Sequence, residues 1–269
     1  MELKTVNDTA VPSIGLGTWQ MKGSECEQAV TQALEMGYRH VDTARIYDNE
    51  KMVGNGIQNA AIDRDDVFLT TKIWRTELEA DEVRPAMEES LERLQTDHVD
   101  LVLIHWPNMG VPLDETLHAF QELQDDGLAR NIGVSNFTER LLDRALEIAP
   151  SIITNQVETH PFHQQHEMAS FCQDNDLLLT AYSPLARGQA VENDVITDIA
   201  DKHGKEPAQV VLRWLTQRDN VVAIPKAAPK QYQRQNLNSI EFSLDADDMD
   251  KIGDLDRDEK LVDPGFAPW

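Results

Sequence analysis

Cysteine is almost missing from this chain. Cys26 and Cys172 are the only two in 269 residues, too few for a disulfide framework, and neither belongs to a CxxC pair. Long apolar runs are missing too. The richest, Val99 to Trp106, falls far short of the roughly 20 residues that cross a bilayer. The opening Met1-Glu2-Leu3-Lys4-Thr5 has no basic segment leading into an apolar one, so no secretory signal is read. Positive charge is scarce: 24 Lys and Arg stand against 48 Asp and Glu, for a net charge of −24. Such a surface repels phosphate backbones and anionic lipid, which sets aside nucleic acids and membranes as partners. The expectation is a reduced, soluble, cytoplasmic protein; its oligomeric state is not readable from the sequence, and a monomer is plausible.

What is present is a core-forming share of apolar residues, 41% before glycine is counted. Global disorder is thereby excluded. The carboxylates are spread along the chain rather than gathered in one acidic tail. That spread predicts a halophilic surface, where counterions screen the self-repulsion that would strain a compact state.

Hydrophobic patterning alternates strand with helix. The predicted strands are Ser13 to Trp19, Tyr38 to Asp42, Asp66 to Lys72, Asp97 to Trp106, Asn131 to Asn136, Ile152 to Glu158, Leu177 to Tyr182 and Val221 to Ile224. Amphipathic helices follow each: one through Cys26 to Leu34 closed by Gly37, then 49–59, 81–94, 113–126, 138–149, 164–175, 195–203 with 207–218, and 229–237. Eight strands, apolar on both faces and each followed by helix, predict a closed (β/α)8 barrel in one domain covering residues 1–269. Val6 to Pro12 reads as a small strand or hairpin plugging the barrel's bottom. The rival is an open doubly wound sheet, but Gly15-Leu16-Gly17 lacks the third glycine and the immediate helix of a dinucleotide fingerprint.

In a barrel of this kind chemistry gathers where strands finish. Asp42, Lys72, His105, Ser135 with Asn136, Tyr182 with Ser183, and Lys226 fall at successive strand ends, and Gln156 lies on the sixth strand. Each alone is ordinary, a cap, a core histidine or a solvated lysine. Together they would face one mouth. Tyr47 sits five residues past Asp42 in the loop that follows. A phenol ionises near pH 10 in water, and an ammonium such as Lys72 is expected to bring that value down. Asp42 would keep the lysine charged, and His105 could orient a substrate oxygen. The set makes a proton donor for a carbonyl oxygen, and since no side chain donates hydride, it requires a cofactor.

Ordered along the chain, these segments resemble the aldo-keto reductase superfamily, in its prokaryotic aldehyde, ketone or diketo-acid reductase branch. The resemblance is carried by Ile14-Gly15-Leu16-Gly17-Thr18-Trp19, Asp42-Thr43-Ala44-Arg45-Ile46-Tyr47, Thr71-Lys72-Ile73-Trp74 and Leu103-Ile104-His105-Trp106-Pro107. Gly133-Val134-Ser135-Asn136-Phe137, Asn155-Gln156-Val157-Glu158, Ala181-Tyr182-Ser183-Pro184-Leu185, Ile224-Pro225-Lys226 and the Phe266-Ala267-Pro268-Trp269 ending extend it nearly end to end. It implies Tyr47 as general acid, Lys72 and Asp42 as the pair that tunes it, and His105 as the group orienting substrate. It implies cofactor contacts at Thr18, Ser135, Asn136, Gln156, Tyr182, Ser183, Leu185, Arg187, Ile224, Lys226 and Asn236. Trp19, Trp74 and Trp106 are implied as aromatic pocket walls beside His105. The implied activity is reduction of an aldehyde or ketone, a small carbonyl substrate, with NADP(H) preferred, NAD(H) accepted and no metal.

The chain departs from the family where a 2′-phosphate would bind: Ala227 stands where Ser is usual and Tyr232 where Arg is common. Gln235 precedes Asn236 in place of a glutamate, and Thr159 precedes His160-Pro161 in place of a tyrosine. Three rival readings are open to the same residues. Lys72 could form a Schiff base as an aldolase does; the barrel could sense a cofactor with little turnover; or His40, His105 and His160 could hold a metal.

Overall fold

The computed structural model describes residues 1–269. A hairpin opens the chain, β1 (Leu3–Val6) and β2 (Thr9–Pro12). Its two-residue turn is Asn7-Asp8, both at positive φ, a conformation that Asn and Asp tolerate and that matches the strands' twist. Then follow β3 (Leu16–Gly17), α1 (Gly23–Met36), β4 (His40–Asp42), α2 (Glu50–Asn59), β5 (Phe68–Ile73), α3 (Ala80–Leu94), β6 (Val99–Ile104) and α4 (Leu113–Asp125). The second half runs β7 (Ala129–Ser135), α5 (Glu139–Ile148), β8 (Ile152–Glu158), α6 (His166–Asp174), β9 (Leu178–Tyr182), α7 (Asp194–His203), α8 (Pro207–Thr216), β10 (Val221–Ala223), α9 (Lys230–Leu237) and α10 (Ala246–Gly253).

Eight parallel strands, β3 through β10, pair in sequence order. The two edges meet: Gly15 N donates to Ala223 O at 2.9 Å, Ala223 N to Ser13 O at 2.9 Å and Gly17 N to Pro225 O at 3.1 Å. The fold is a (β/α)8 barrel. Strands β5 and β6 are buried at every residue, which requires the near-continuous apolar runs seen in the sequence. The hairpin closes the bottom, with Val6 and Val11 packing on Phe68, Leu101, Leu103, Ile153, Leu178 and Val222.

Helix ends follow local chemistry. Gly37, at φ 116°, closes α1 by donating to Ala33 O and Leu34 O, as only a residue without Cβ does easily. Thr138 caps α5 by accepting from Leu141 N. Two sequence expectations need amendment. The strand over Ser13 to Trp19 shortens to Leu16–Gly17 with an isolated bridge from Ile14 to Ala223. Here the chain presses so close to β4 that a Cβ on Gly15 would lie 2.7 Å from His40 Nδ1. Helix α10 was unanticipated because its acidic sequence hides the apolar stripe. Its start is nonetheless marked by a reciprocal capping pair, Asp245 and Asp248.

Candidate active site

Asp42 ends β4 and Lys72 lies on β5, the adjacent strand, with Asp42 in register with Thr70. Lys72 therefore stands one inward-facing position nearer the mouth. Tyr47 sits on the single 3₁₀ turn Arg45–Tyr47 that follows β4. That turn is nailed down. Arg45 donates to Glu77 Oε1 at 2.6 Å and to Ala86 O at 2.5 Å, and Lys22 Nζ donates to Tyr47 O at 2.9 Å. Asn49 ties the loop from the other side, donating to Thr18 O at 2.9 Å while accepting from Thr43 Oγ1 at 2.8 Å.

The Lys72 ammonium has no exposed side-chain surface. It donates to Asp42 Oδ1 at 2.5 Å and Thr43 O at 2.8 Å, and lies 3.5 Å from Tyr47 Oη. Its three N–H groups are thus committed. The other Asp42 oxygen accepts from Gln156 Nε2 at 2.8 Å. This fixes the Gln156 amide, since a carboxylate can only accept, and turns Gln156 Oε1 away from Asp42.

A second chain of hydrogen bonds runs beside the first. Asn136, held at φ 61°, donates to His105 O and Ser135 Oγ, both at 2.9 Å. Its Oδ1 accepts from Tyr182 Oη at 2.9 Å, and Ser135 Oγ donates to Gln156 O at 2.8 Å. His105 packs edge-on to Tyr47 and Trp74, with ring centroids 5.6 and 5.1 Å away. Its Nδ1 is buried without a partner.

Burial governs the titrations. It lowers Lys72, against the pull of Asp42, and drives His105 well below an ordinary histidine, with the Lys72 charge adding to the effect. Tyr47 differs from the sequence expectation: burial, helped by Asp42 and Tyr182, pushes its phenol well above the usual value. At neutral pH the site therefore holds a protonated phenol and a neutral imidazole.

Asp42, Tyr47, His105, Ser135, Asn136, Gln156 and Tyr182 line one cleft of about 400 Å³ together with Gly17, Trp19, Gln20, Lys22, Ile46, Trp74, Trp106, Ser183, Arg187, Ile224, Lys226 and Val262, with Lys72 buried behind Asp42 and Tyr47. The structure thus gathers most of the residues singled out in the sequence. Thr18, Leu185 and Asn236 are off the wall: Thr18 Oγ1 donates to Asp42 O at 2.9 Å, Leu185 packs on the core, and Asn236 is buried on α9. Gln20, Lys22 and Val262 were not anticipated, for no motif marks them, and Ile46 had no role assigned although it lies within the Asp42–Tyr47 motif. His40, His105 and His160 do not converge: His40 faces Thr70 and Phe68, and His160 bonds Glu158 at 2.8 Å. The cleft's electrostatics oppose those of the whole chain. Lys22, Arg187 and Lys226 line it, and the single carboxylate on its wall, Asp42, is already paired with Lys72.

A barrel with a tyrosine, lysine, aspartate and histidine at its C-terminal mouth defines a reductase class, and the comparisons agree. Residues 13–257 match the Aldo/keto reductase family, and the chain belongs to that family. It is 40% identical to the methylglyoxal reductase DkgB of Escherichia coli O157:H7 over 264 residues, 96% of this chain and 98% of that protein. It is 42% identical to a glyoxal reductase of Bacillus subtilis strain 168, over 96% of this chain and 94% of that one. A crystal structure of a proposed 2,5-diketo-D-gluconic acid reductase B superposes with a TM-score of 0.96 at 38% identity, over 99% of this chain and 96% of that one. The protein is an oxidoreductase acting on carbonyl groups, of a family that uses nicotinamide cofactors.

Proposed function

We propose that this protein reduces an aldehyde or ketone to the alcohol with NADP(H) in preference to NAD(H), Tyr47 protonating the carbonyl oxygen. The carrying observation is the cluster of Tyr47, Lys72, Asp42 and Gln156 at the floor of a cation-lined cleft. On a chain of net charge −24, a cleft lined by Lys22, Arg187 and Lys226, the last two in no ion pair, suits an anionic ligand. Gln156 Oε1, freed by the bond to Asp42, is an acceptor placed for a carboxamide N–H₂. Ser135 and Asn136 border the same spot, and Tyr182 offers its ring face. The residues present therefore fit a nicotinamide dinucleotide, which when bound supplies the hydride.

The remaining work falls to the chain. His105, kept neutral by its burial, orients the substrate oxygen through its ring N–H. Tyr47 keeps its proton until negative charge develops on that oxygen, because burial disfavours the free phenolate. As the proton leaves, the Lys72 ammonium 3.5 Å away stabilises the new phenolate, and Asp42 holds the ammonium in place. The aldolase reading is disfavoured because every Lys72 N–H is committed and its nitrogen presents no lone pair to the cleft.

We read residues 1–269 as one cytoplasmic domain, in line with a core of 59 buried residues reaching from Ile14 to Ile252. The decisive experiment follows NADPH oxidation against aldehydes, ketones and dicarbonyls, starting with methylglyoxal and glyoxal because relatives are named for them. Carbonyl-dependent oxidation supports the reading; tight NADPH binding with no turnover of any carbonyl overturns it in favour of a cofactor sensor.

A further inference from the structure

Glu158 ends β8 at the mouth of the barrel, 4% exposed, and is not on the cleft wall. Its carboxylate accepts three hydrogen bonds. His160 Nε2 reaches Oε1 at 2.8 Å, Leu261 N reaches Oε1 at 2.7 Å and Val262 N reaches Oε2 at 2.9 Å. His160 Nδ1 accepts from Phe162 N at 3.3 Å, which leaves the ring proton on Nε2. Burial raises a carboxyl pKa, yet the donors around Glu158 win and hold it below the usual range. The charged form is the one the site is built for.

Two of those donors are backbone amides of a segment, residues 254–269, that contains neither helix nor strand. Such a segment has no ladder of its own to fix it. Its other hydrogen bonds and charged contacts to the barrel fall mostly upstream of Leu261: Glu259 N to Phe162 O at 2.9 Å, His163 Nδ1 to Asp258 Oδ1 at 2.8 Å, and the Arg257 guanidinium 4.2 Å from the Phe162 ring centroid. Downstream, the Arg75 guanidinium lies 4.6 Å from the Phe266 ring centroid. Past Glu158, the segment meets the site. Val262 lines the cleft. Phe266 stands edge-on to Trp74 at 5.9 Å and Trp106 at 5.4 Å, and Trp269 lies 5.5 Å from Trp106.

We propose that Glu158 is a positioning residue for substrate choice, pinning Val262 and the segment to Trp269 so that the cleft grips carbonyl compounds bearing an aromatic or bulky apolar substituent. A small carbonyl compound reaches Tyr47 and His105 without touching that wall and is indifferent to the pin. The inference rests on the carbonyl-reductase reading above.

Phenylglyoxal and methylglyoxal test it, for they share the reacting dicarbonyl and differ in phenyl against methyl. Glu158→Gln keeps the shape but sets an N–H₂ against one backbone N–H. It should raise KM for phenylglyoxal about tenfold, the loss expected when a phenyl group forfeits part of its buried contact. KM for methylglyoxal and the NADPH Kd from fluorescence titration should move less than about threefold. Phe266→Ala leaves the anchor whole and removes the brace, so it should give the same pattern even if Glu158→Gln folds poorly. The double variant should be no worse than Phe266→Ala alone, because both act through one segment. An unchanged phenylglyoxal KM in both variants, or equal rises for both substrates, overturns the proposal. A wild-type protein that reduces other carbonyls but neither dicarbonyl overturns this inference alone, whereas one that reduces no carbonyl at all overturns the carbonyl-reductase reading and this inference with it.

Discussion

The Lys72 ammonium stands 3.5 Å from the Tyr47 phenol oxygen while its shortest bond, 2.5 Å, goes to Asp42. The cation is thus secured by the carboxylate and only loosely engaged with the phenol. That inequality suits a donor that must keep its proton at rest. Were Lys72 bonded tightly to the phenol, it would favour the phenolate before substrate arrived. Gln156 completes the arrangement from 114 residues away, joining its own wall of the cleft to the ion pair.

Removing the hydroxyl tests the assignment. Tyr47→Phe deletes the proton donor with little change of volume, so turnover should drop by about 10²-fold or more while NADPH affinity is kept. Single-turnover rates beside a fluorescence Kd make the comparison. Near-normal turnover in the variant would remove Tyr47 from the donor's place.

Much of this is legible in the amino-acid sequence. The barrel followed from strands apolar on both faces, a pattern that a doubly covered sheet demands, and β5 and β6 are buried throughout. Asp42, Lys72 and His105 were visible because a strand's end in such a barrel has only one place to face. What stayed hidden depends on distant packing. Nothing near Val262 tells that Glu158 holds it, a pair 104 residues apart. The direction of the Tyr47 shift was misjudged for a related reason: spacing reveals a neighbouring cation but not the depth of burial that outweighs it. Helix α10 was missed because Asp247, Asp248 and Asp250 dilute its apolar face.

Acid should weaken the fold through His40. That ring is 2% exposed, its Nδ1 lacks a partner, and burial pushes its pKa from 6.5 down to about 4. Above pH 6.5 neither folded nor unfolded chain protonates it, and its contribution is whole. As pH falls from 6.5 towards 4 the unfolded chain takes up the proton first, so stability declines by up to about 3 kcal/mol. Urea unfolding at intervals between pH 7 and 4.5 should show this slope, shallower in His40→Gln by on the order of 1 kcal/mol per pH unit. An identical slope in the variant would assign the loss to other groups.

Salt should stabilise it. With 48 acidic and 24 basic side chains, carboxylates outnumber cations two to one, and Asp245, Asp247 and Asp248 crowd together around the ammonium groups of Lys202 and Lys251. Screening reaches about 10 Å at 0.1 M salt and about 3 Å at 1 M. Distant repulsion that strains the fold in dilute buffer is therefore quenched in brine. The melting temperature should climb by several degrees or more between about 0.1 M and about 3 M potassium chloride. A flat profile would count against a halophilic surface.

Lys226 should set the choice of cofactor. It follows β10, is exposed on the cleft wall and forms no salt bridge with the many carboxylates of the chain. An unpaired ammonium on a cation-lined cleft is best used by a phosphate dianion, and NADPH carries one such group that NADH lacks. The surroundings limit its effect. Ala227 is buried and offers no hydroxyl, and Tyr232, 56% exposed on α9, brings no charge. A single charge-assisted contact then remains, and at its lower bound it favours NADPH by about tenfold. Because the ammonium is exposed, counterions compete with the phosphate and the preference should shrink as salt rises. Lys226→Ala should equalise the two cofactors by weakening NADPH and leaving NADH nearly unchanged. Dissociation constants for both cofactors, on both proteins and at two salt concentrations, check each step. Equal affinities in the wild type, or tighter NADH, would mean that Lys226 serves another purpose.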